Sequence, residues 1–503
     1  MSASAYSKLE HRFRRILILG DASEALNWDY ATMMPPGGGP ARGEQLAELG
    51  AVRHSLLCAT ETADLLDAAD QDDSLDNWQA VNLKAMRSKW AHATALSEDL
   101  VLAFSKASTT CETVWRTAHT EADFAAVLPH MQALLTLVQE SATAKSEKLE
   151  LSPYDALLDE FEPGGRSADI DVNFAALEAF LPGFLGKVLE KQNADPAPAM
   201  PKGPFAADKQ RGLGLKLMTA LGFDFNHGRL DVSLHPFCDG TPEDVRITTR
   251  FDEDDFSSAI MGVLHETGHG LYERGLPVNW RYQPVGQALG MAVHESQSLL
   301  IEMQMSRSRE FLEFAAPLMR DAFDGSGPAW DVESLYRNLI RVTPGFIRVD
   351  ADEVTYPLHV IARYRLEKLM IAGDLPLVDL PEAWNTEMEN LLGIRPANDR
   401  EGCLQDIHWY DGAWGYFPTY TLGAMTAAQL YAAALHDNPE ISVAIPKGDF
   451  TPLLSWLREN VHSKGASQPS QMLLKDVTGE PLNADIFKKH LYRRYLQQIP
   501  ELL

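Results

Sequence analysis

The sequence has few cysteines and an excess of negative charge. Its 503 residues include four cysteines (Cys58, Cys111, Cys238 and Cys403), which lie far apart and form no C-x-x-C pair. This pattern excludes a disulfide framework and a cysteine-rich zinc ribbon. Lysine and arginine number 44 against 71 aspartate and glutamate residues, which gives a formal net charge of −27. Because such a surface repels phosphate backbones, we expect no nucleic-acid partner.

Long hydrophobic runs are also absent from the sequence. No stretch approaches the ~18 uninterrupted apolar residues that a membrane span needs. The apolar run after the first basic residues is too short for a secretory signal. Hydrophobic residues make up 45% and charged residues 23%, as in an ordinary globular protein. We therefore expect a soluble, cytoplasmic protein with no membrane partner.

Most of the chain shows helical periodicity. Between residues 120 and 149, apolar side chains recur every three or four residues, which places them on one face of a helix. Residues 193–205 are rich in proline and alanine, which makes them a candidate subdomain boundary. Segments of the same helical character lie on both sides of this boundary. We therefore predict a mostly α fold and a single domain over residues 1–503.

One region follows the two-residue period of strands. Apolar and polar residues alternate within 230–234 and again within 245–251, and a Gly/Pro-containing segment separates the two runs. This pattern predicts an antiparallel hairpin beside the next helix. In that register Asp244, Arg246 and Thr248 share the face opposite the apolar one.

An H-E-x-x-H motif follows directly, formed by His265, Glu266 and His269. The two histidines are four residues apart on a predicted amphipathic helix, so their imidazoles lie one turn apart on the same face. That separation suits two ligands of a tetrahedral zinc ion. Glu266 would then reach a metal-bound water and accept its proton.

A catalytic zinc needs a third protein ligand. The extended motif that ends in a third histidine is absent, because Tyr272 and Gly275 occupy its glycine and histidine positions. A carboxylate from the next predicted helix is the alternative, and both Glu295 and Glu302 qualify because they share a face. We favour Glu295, which lies in a His-Glu-Ser-Gln run; Glu302 would then be a surface carboxylate or a neighbour of the ligands.

Six short motifs follow one another along the chain. They are His235-Pro236-Phe237, Asp244-x-Arg246-x-Thr248, His265-Glu266-x-x-His269, His294-Glu295-Ser296-Gln297, Ile347-Arg348-x-x-Ala351-Asp352 and Gly402-x-x-Gln405-Asp406-x-His408-Trp409. With these motifs in this order, the chain resembles the carboxypeptidase Taq (M32) family of zinc metallocarboxypeptidases. The resemblance covers most of the chain, which makes it far more specific than H-E-x-x-H alone.

The resemblance implies a helical zincin-like (gluzincin) fold with a deep active-site groove. It implies one zinc ion per subunit, with cobalt as a substitute, bound by His265, His269 and Glu295. Glu266 would be the general base and acid. The implied activity is the removal of single residues from peptide C-termini with broad specificity, and the implied assembly is a homodimer.

A carboxypeptidase must also recognise a free carboxylate. Arginine suits this task because its planar guanidinium pairs with a carboxylate through two hydrogen bonds. Arg348 is our candidate, and the family pattern points to the same residue. The alternative role for Arg348 is a salt bridge with Asp350 or Asp352. We expect Asp352 to orient a neighbour or to cap a helix that begins near Glu353.

Further candidates follow from the late motif and from the predicted hairpin. The resemblance favours His408 and Tyr420 as active-site residues, and Tyr416 could substitute as oxyanion donor. We read Asp406 as a carboxylate that orients a histidine. An exposed edge strand can bind an extended peptide through its main chain. The remaining candidates for substrate contacts are therefore two residues near the strands, His235 and Arg246, for which packing or an ion pair is the alternative.

Two other functions are compatible with parts of this pattern. An oligopeptidase or dipeptidyl carboxypeptidase on the same scaffold would use the same metal centre. A non-catalytic, zinc-stabilised helical binding protein would need neither Glu266 nor a carboxylate-binding arginine, so these residues argue against it.

Overall fold

The computed structural model describes residues 4–498, and this part of the chain is mostly helical, as predicted. The α-helices, in chain order from α1 to α21, are Ala5–Thr32, Gly39–Cys58, Thr60–Ala69, Asn77–Ala95, Glu98–Glu121, Phe124–Leu149, Pro153–Leu158, Ser167–Ala194, Ala207–Ala220, Phe256–Gly275, Met291–Leu299, Arg309–Ala322, Val332–Leu339, Tyr356–Ala372, Leu380–Leu392, His408–Asp411, Pro418–Asp437, Glu440–Ala444, Thr451–Asn460, Ser470–Thr478 and Ala484–Leu491. Two π-helical segments, Leu300–Ser306 and Tyr492–Leu496, continue α11 and α21.

The chain divides into two compact units. Unit 1 comprises Met1–Ala93, Pro198–Leu339 and Thr426–Leu482, and unit 2 comprises Thr94–Ala197, Ile340–Met425 and Asn483–Leu503. The chain leaves unit 2 at Ala197 and re-enters unit 1 at Pro198, which lies inside the proline-rich segment 193–205. The single domain over the whole chain stays a prediction.

Unit 1 contains a three-stranded sheet of β1 (Gly228–Val232), β2 (Cys238–Thr241) and β3 (Asp244–Thr249), in the order β1-β3-β2. The predicted antiparallel pairing of the first and last strands is wrong, because β1 runs parallel to β3. The segment predicted as a turn forms β2 and is itself the antiparallel partner of β3. Alternation of apolar and polar residues identifies strands, but it does not fix their partners or directions.

The apolar face of this sheet packs against α9 and α10. Val245 and Ile247 of β3 are buried, whereas Asp244 on the other face is exposed. Thr248, predicted on the polar face, is also buried, and its hydroxyl oxygen accepts a hydrogen bond from the Ser233 hydroxyl. The sheet and the two helices share one hydrophobic cluster, formed by Met218, Phe223, Leu230, Val245, Ile247 and Val263.

Helix α10 carries the H-E-x-x-H motif. It begins after Asp255, whose carboxylate accepts hydrogen bonds from the backbone N–H groups of Ser257 and Ser258 and so satisfies donors that the helix leaves unpaired. Its predicted apolar stripe is buried. The helix is therefore anchored at its start and along one face, which fixes the direction of the motif histidines.

The helix predicted to follow α10 is divided into two α-helices with a π-helical segment between them. Helix α11 ends at Leu299, and the chain continues as the π-helical segment Leu300–Ser306. Helix α12 then begins after Ser308, whose hydroxyl caps it. The predicted candidates Glu295 and Glu302 therefore lie in segments of different helical pitch.

In unit 2, helix α14 begins at Tyr356, three residues after the predicted start, and Pro357 lies in its first turn. The Asp352 carboxylate accepts hydrogen bonds from the backbone N–H groups of Val354 and Thr355, as expected for a residue near a helix start. It also accepts one from Thr343. Asp352 thus ties the loop that carries Arg348 to the start of α14.

Helix α8, Ser167–Ala194, is the one helix within the described residues that is long and apolar enough to cross a membrane, and one third of its most apolar window is buried. Its Asp171 accepts hydrogen bonds from Tyr364 and Lys368, and its Glu178 pairs with Arg365. These contacts place one face of α8 against α14 of the same unit. They favour a helix that packs on one face against the rest of its unit over a membrane span.

Helices α10 and α11 approach each other closely at Gly268. A Cβ atom at this position would lie 2.5 Å from the carbonyl oxygen of Gln297 and 2.6 Å from the Cα of Ser298. Both of these neighbours are backbone atoms, so the helices would have to separate.

We expect Gly268→Ala to lower the free energy of unfolding by about 1–3 kcal/mol, because overpacking forces backbone shifts. Gly262→Ala, on the same helix, is the matched control, since a Cβ there meets only the Thr249 hydroxyl at 4.0 Å. The control should be neutral or stabilising by up to about 1 kcal/mol. Denaturant unfolding compares the two variants, and equal stabilities would contradict this account of the helix contact.

Candidate metal centre

Three side chains of unit 1 meet between α10 and α11. The Nε2 atom of His269 lies 3.4 Å from Glu295 Oε2, and the Nε2 atom of His265 lies 3.8 Å from the same oxygen. One ligand atom from each residue falls within 4.8 Å of the other two. Ligands about 2.0–2.1 Å from a tetrahedral ion are about 3.3 Å apart, so the arrangement fits one cation. Two imidazoles and a carboxylate are also ligands that zinc accepts.

The electrostatic environment of this cluster favours a cation. Burial alone would lower the pKa of His265, but the surrounding carboxylates, first of all Glu295, raise it to about 10. Burial would raise the pKa of Glu295, yet the nearby His265 and His269 lower it. The field that favours a proton on His265 also favours a divalent cation in its place.

Glu266 lies beside this cluster and is 7% exposed. Burial, with a further contribution from Glu295, raises its pKa to about 7 against the opposing effect of His265. A carboxyl group with a pKa near neutrality can both accept and donate a proton at physiological pH.

Glu302, the other ligand candidate, faces the opposite nitrogen of His265. Its Oε2 lies 3.0 Å from His265 Nδ1, and its Oε1 accepts a hydrogen bond from Arg307 Nη2 at 2.6 Å. The structure therefore brings Glu295, and not Glu302, to the Nε2 atoms of both histidines. The ligand roles of His265, His269 and Glu295 stay predictions.

His294 is a further neighbour of the cluster. Its ring packs against that of His269, with 4.5 Å between the centroids. Its Nε2 atom lies 2.9 Å from Glu273 Oε1. In the sequence, His294 stands out only as part of a motif, and Glu273 carries no recognisable signal. Glu273 thus holds His294, and the His294 ring packs against the ring of His269.

In unit 2, Arg348 belongs to a buried ion-pair network. Its Nη2 lies 2.7 Å from Asp406 Oδ1, and the other oxygen of Asp406 lies 2.6 Å from Arg363 Nε. Arg348 and Arg363 are 5% and 0% exposed. The alternative salt bridge of Arg348 with Asp350 or Asp352 is therefore wrong.

The reading of Asp406 as a residue that orients a histidine is also wrong, because its carboxylate is bonded to two guanidinium groups. Burial would raise its pKa, but Arg348 and Arg363 hold it far below the usual range. Gln405 completes the network. Its amide oxygen accepts from the backbone N–H of Arg348, and its amide nitrogen donates to the carbonyl of Phe346.

His408 and Tyr420 are in contact, with 3.1 Å between His408 Nε2 and the Tyr420 hydroxyl oxygen. Tyr416 packs against both, with ring centroids 5.6 Å from His408 and 5.2 Å from Tyr420. The Arg348 guanidinium lies 4.7 Å from the centre of the Tyr420 ring. Burial lowers the pKa of His408 to about 4 despite the opposing charge of Asp406, so its imidazole is neutral at pH 7. The structure thus brings four predicted residues of unit 2 together.

The two candidates near the sheet lie in unit 1. Arg246 donates to Asp244 at 2.6 Å, and its guanidinium lies 4.4 Å from the centre of the Trp28 ring. His235 is exposed in the connection between β1 and β2. Their roles toward substrate stay predictions.

Three residues of these networks were not identified as functional candidates from the sequence. Arg363 lies among buried apolar residues of α14, and this mismatch is the signal that could have identified it. Arg307 follows Glu302 by five residues, which is not the spacing of an α-helical pair. Tyr356, whose hydroxyl accepts a hydrogen bond from Arg348 Nη1 at 3.1 Å, gave no signal.

Asp406→Asn tests the ion-pair network of unit 2. We expect it to lower the free energy of unfolding by about 3–5 kcal/mol, because it leaves two buried guanidinium groups without a counter-charge. The control is Glu382→Gln, which breaks the exposed Glu382–Arg395 pair and should cost less than about 1 kcal/mol. Denaturant unfolding measures both, and a small effect of Asp406→Asn would show that the pair is not a main source of stability.

Comparisons with known proteins agree with this geometry. A family model described as carboxypeptidase Taq (M32) metallopeptidase matches residues 8–495. Thermostable carboxypeptidase 1 of Pyrococcus furiosus is 35% identical over 492 residues, which cover 96% of this chain and 97% of that protein. The structure of Trypanosoma cruzi metallocarboxypeptidase 1 matches with a TM-score of 0.95 at 40% identity, over 98% of this chain and 99% of the other.

A second solved structure, an M32 carboxypeptidase from Deinococcus radiodurans R1, matches with a TM-score of 0.92 at 34% identity, over 98% and 99% of the two chains. The family resemblance inferred from the ordered motifs is therefore confirmed. A metallopeptidase requires a metal ion, and the cluster of His265, His269 and Glu295 is the candidate site for it. The chain belongs to the carboxypeptidase Taq (M32) family and is a metallocarboxypeptidase.

Proposed function

We propose that this protein is a zinc-dependent carboxypeptidase that releases single amino acids from peptide C-termini with broad specificity. The observation that carries the proposal is the convergence of His265, His269 and Glu295 beside the buried Glu266. The carboxypeptidase names of its relatives support the site of cleavage. Cobalt, which accepts similar ligands, would substitute for zinc.

Three protein ligands and an open fourth position are typical of catalytic zinc sites, whereas structural sites have four protein ligands. A zinc ion bound there would supply a Lewis acid that lowers the pKa of water toward about 7. His265 and His269 would bind through Nε2 and Glu295 through its carboxylate. The donor set supports zinc because it combines nitrogen and oxygen ligands.

Glu266 would move the proton. In the proposed mechanism its carboxylate accepts a proton from the attacking water and later donates it to the departing amine. Burial, which raises the pKa of the Glu266 carboxyl group to about 7, supports a role of this residue in proton transfer. His408 and Tyr420 are the proposed donors toward the developing oxyanion, and Tyr416 is the alternative.

Arg348 would bind the substrate's terminal carboxylate. Its described hydrogen bonds to Asp406 and Tyr356 use three of the five N–H groups of a guanidinium, which leaves two for a carboxylate. The positive charge of the Arg348–Asp406–Arg363 network also favours an anion. Near the sheet, His235 and Arg246 are proposed to contact the rest of the peptide.

We also propose a cytoplasmic homodimer. The cytoplasmic location is supported by four free cysteines, which are typical of a reducing compartment. The dimer follows from the family resemblance.

Glu266→Gln tests the proposed base. We expect zinc to stay bound while kcat/KM for peptide hydrolysis falls by about 10²- to 10⁴-fold, because the amide cannot accept the proton. Metal content and release of C-terminal amino acids are measured together. The control is Glu310→Gln, an exposed acid at the start of α12, which should leave both values unchanged. Normal hydrolysis by the Glu266 variant with zinc bound would refute the mechanism.

A second test addresses carboxylate recognition and the type of product. The unmodified enzyme should cleave C-terminally amidated peptides at least about tenfold more slowly than free acids, since a charged hydrogen bond is lost. Arg348→Lys should raise KM for the free acids, whereas Arg395→Lys, at an exposed arginine, should not. A time course that yields dipeptides first would favour a dipeptidyl carboxypeptidase, and internal fragments would favour an oligopeptidase.

A further inference from the structure

We infer that Glu302 is a positioning residue that orients His265 for metal binding, and that Arg307 holds Glu302 in place. This inference rests on the proposed function, because it takes His265 to bind zinc through Nε2. Glu302 would touch neither the metal nor the substrate. It would act through the imidazole ring that lies between it and the metal site.

The His265 ring lies between two carboxylates. Its Nε2 atom is 3.8 Å from Glu295 Oε2, and its Nδ1 atom is 3.0 Å from Glu302 Oε2. An ionised carboxylate only accepts hydrogen bonds, so Nδ1 carries the proton and donates it to Glu302. In the neutral ring, Nε2 then presents its lone pair on the side of Glu295. Glu302 therefore selects the tautomer and the ring orientation that metal binding requires.

Glu302 is itself fixed by Arg307. Arg307 Nη2 donates to Glu302 Oε1 at 2.6 Å, and Arg307 Nη1 donates to the carbonyl of Leu339 at 3.1 Å. Leu339 is the last residue of α13, so the arginine is anchored outside the segment that carries the glutamate. The Glu302 and Arg307 side chains are only 10% and 18% exposed, which limits screening by solvent.

The π-helical segment explains why residues 302 and 307 meet. In an α-helix, side chains five residues apart point in different directions. A π-helix has i→i+5 hydrogen bonds, so residues five apart lie nearly above one another. Glu302 lies inside the segment Leu300–Ser306, and Arg307 follows it directly. The unusual pitch therefore creates the pair that supports His265.

The two predicted histidine ligands differ in the hydrogen bonding of their Nδ1 atoms. Within residues 4–498, the buried Nδ1 atom of His269 has no hydrogen-bond partner, whereas that of His265 has Glu302. Loss of a carboxylate that accepts a hydrogen bond from a ligating histidine typically lowers metal affinity by about 10- to 100-fold. Of the two predicted histidine ligands, His265 is thus the one whose Nδ1 atom is held by a carboxylate.

The experiment measures the zinc Kd of the full-length protein by competition with a chelator. Glu302→Gln keeps the size of the side chain but removes its charge, and it places an amide next to Arg307. We expect the zinc Kd of this variant to rise by about 10- to 100-fold. Glu313→Gln, at an exposed acid of α12, is the matched control and should bind zinc within about twofold of the unmodified protein.

Arg307→Met is the second variant, because it leaves Glu302 and all predicted ligands intact. We expect it to weaken zinc binding in the same direction, and Arg307→Lys to restore much of the loss. Denaturant unfolding of the zinc-free proteins separates this role from a structural one. If Glu302→Gln and Arg307→Met lower stability but bind zinc as tightly as the unmodified protein does, the inference is overturned.

Zinc binding and hydrolysis by the unmodified protein test the proposed function by themselves. The ratio of the variant Kd to the unmodified Kd tests the role of Glu302. A protein that binds zinc and hydrolyses peptides while the Glu302→Gln ratio stays near one would keep the proposed function and reject the inference.

Discussion

The metal centre depends on a close approach between α10 and α11. Gly268 allows it, because any larger residue would meet the backbone at Gln297 and Ser298. This approach brings Glu295 to within hydrogen-bonding distance of His269, although the two residues are far apart in the sequence. The motif histidines supply two ligand atoms by helical spacing alone, but the third requires this tertiary contact. The geometry of the site therefore depends on how closely the backbones of α10 and α11 pack, as well as on the ligand side chains themselves.

Each unit contains buried charges that are only partly balanced. In unit 1, three carboxylates lie around His265 and only one guanidinium, that of Arg307, pairs with them, so the neutral form of His265 that would bind a metal leaves an excess of negative charge. In unit 2, Arg348 and Arg363 share one carboxylate, that of Asp406, which leaves an excess of positive charge. Buried charges are costly unless they are compensated, so each cluster favours a ligand of opposite sign. A divalent cation and a peptide carboxylate are the ligands that a metallocarboxypeptidase requires.

The sequence predicted what depends on local periodicity and on motifs: the mostly helical fold, the H-E-x-x-H helix, and the family. It did not predict the parallel pairing of β1 and β3, since alternation carries no information on direction. The partner of Arg348 was also missed, because Asp406 lies 58 residues away and no spacing rule joins them. The role of Glu302 depends on π-helical pitch, which the apolar pattern around Leu300 does not distinguish from an α-helix.

The division of the chain into two units has a consequence for its synthesis. Unit 1 is assembled from three separate stretches, the last of which ends at Leu482. Within that stretch, the buried His462 bonds to Gln297 at 3.1 Å and packs against Gly275 at the end of α10. The contact between His462 and the metal helix therefore forms only after this third stretch of unit 1 has been synthesised. Nascent chains that lack this stretch would leave the His462 side of α10 uncovered, so unit 1 is expected to complete its folding only after all three of its stretches are present.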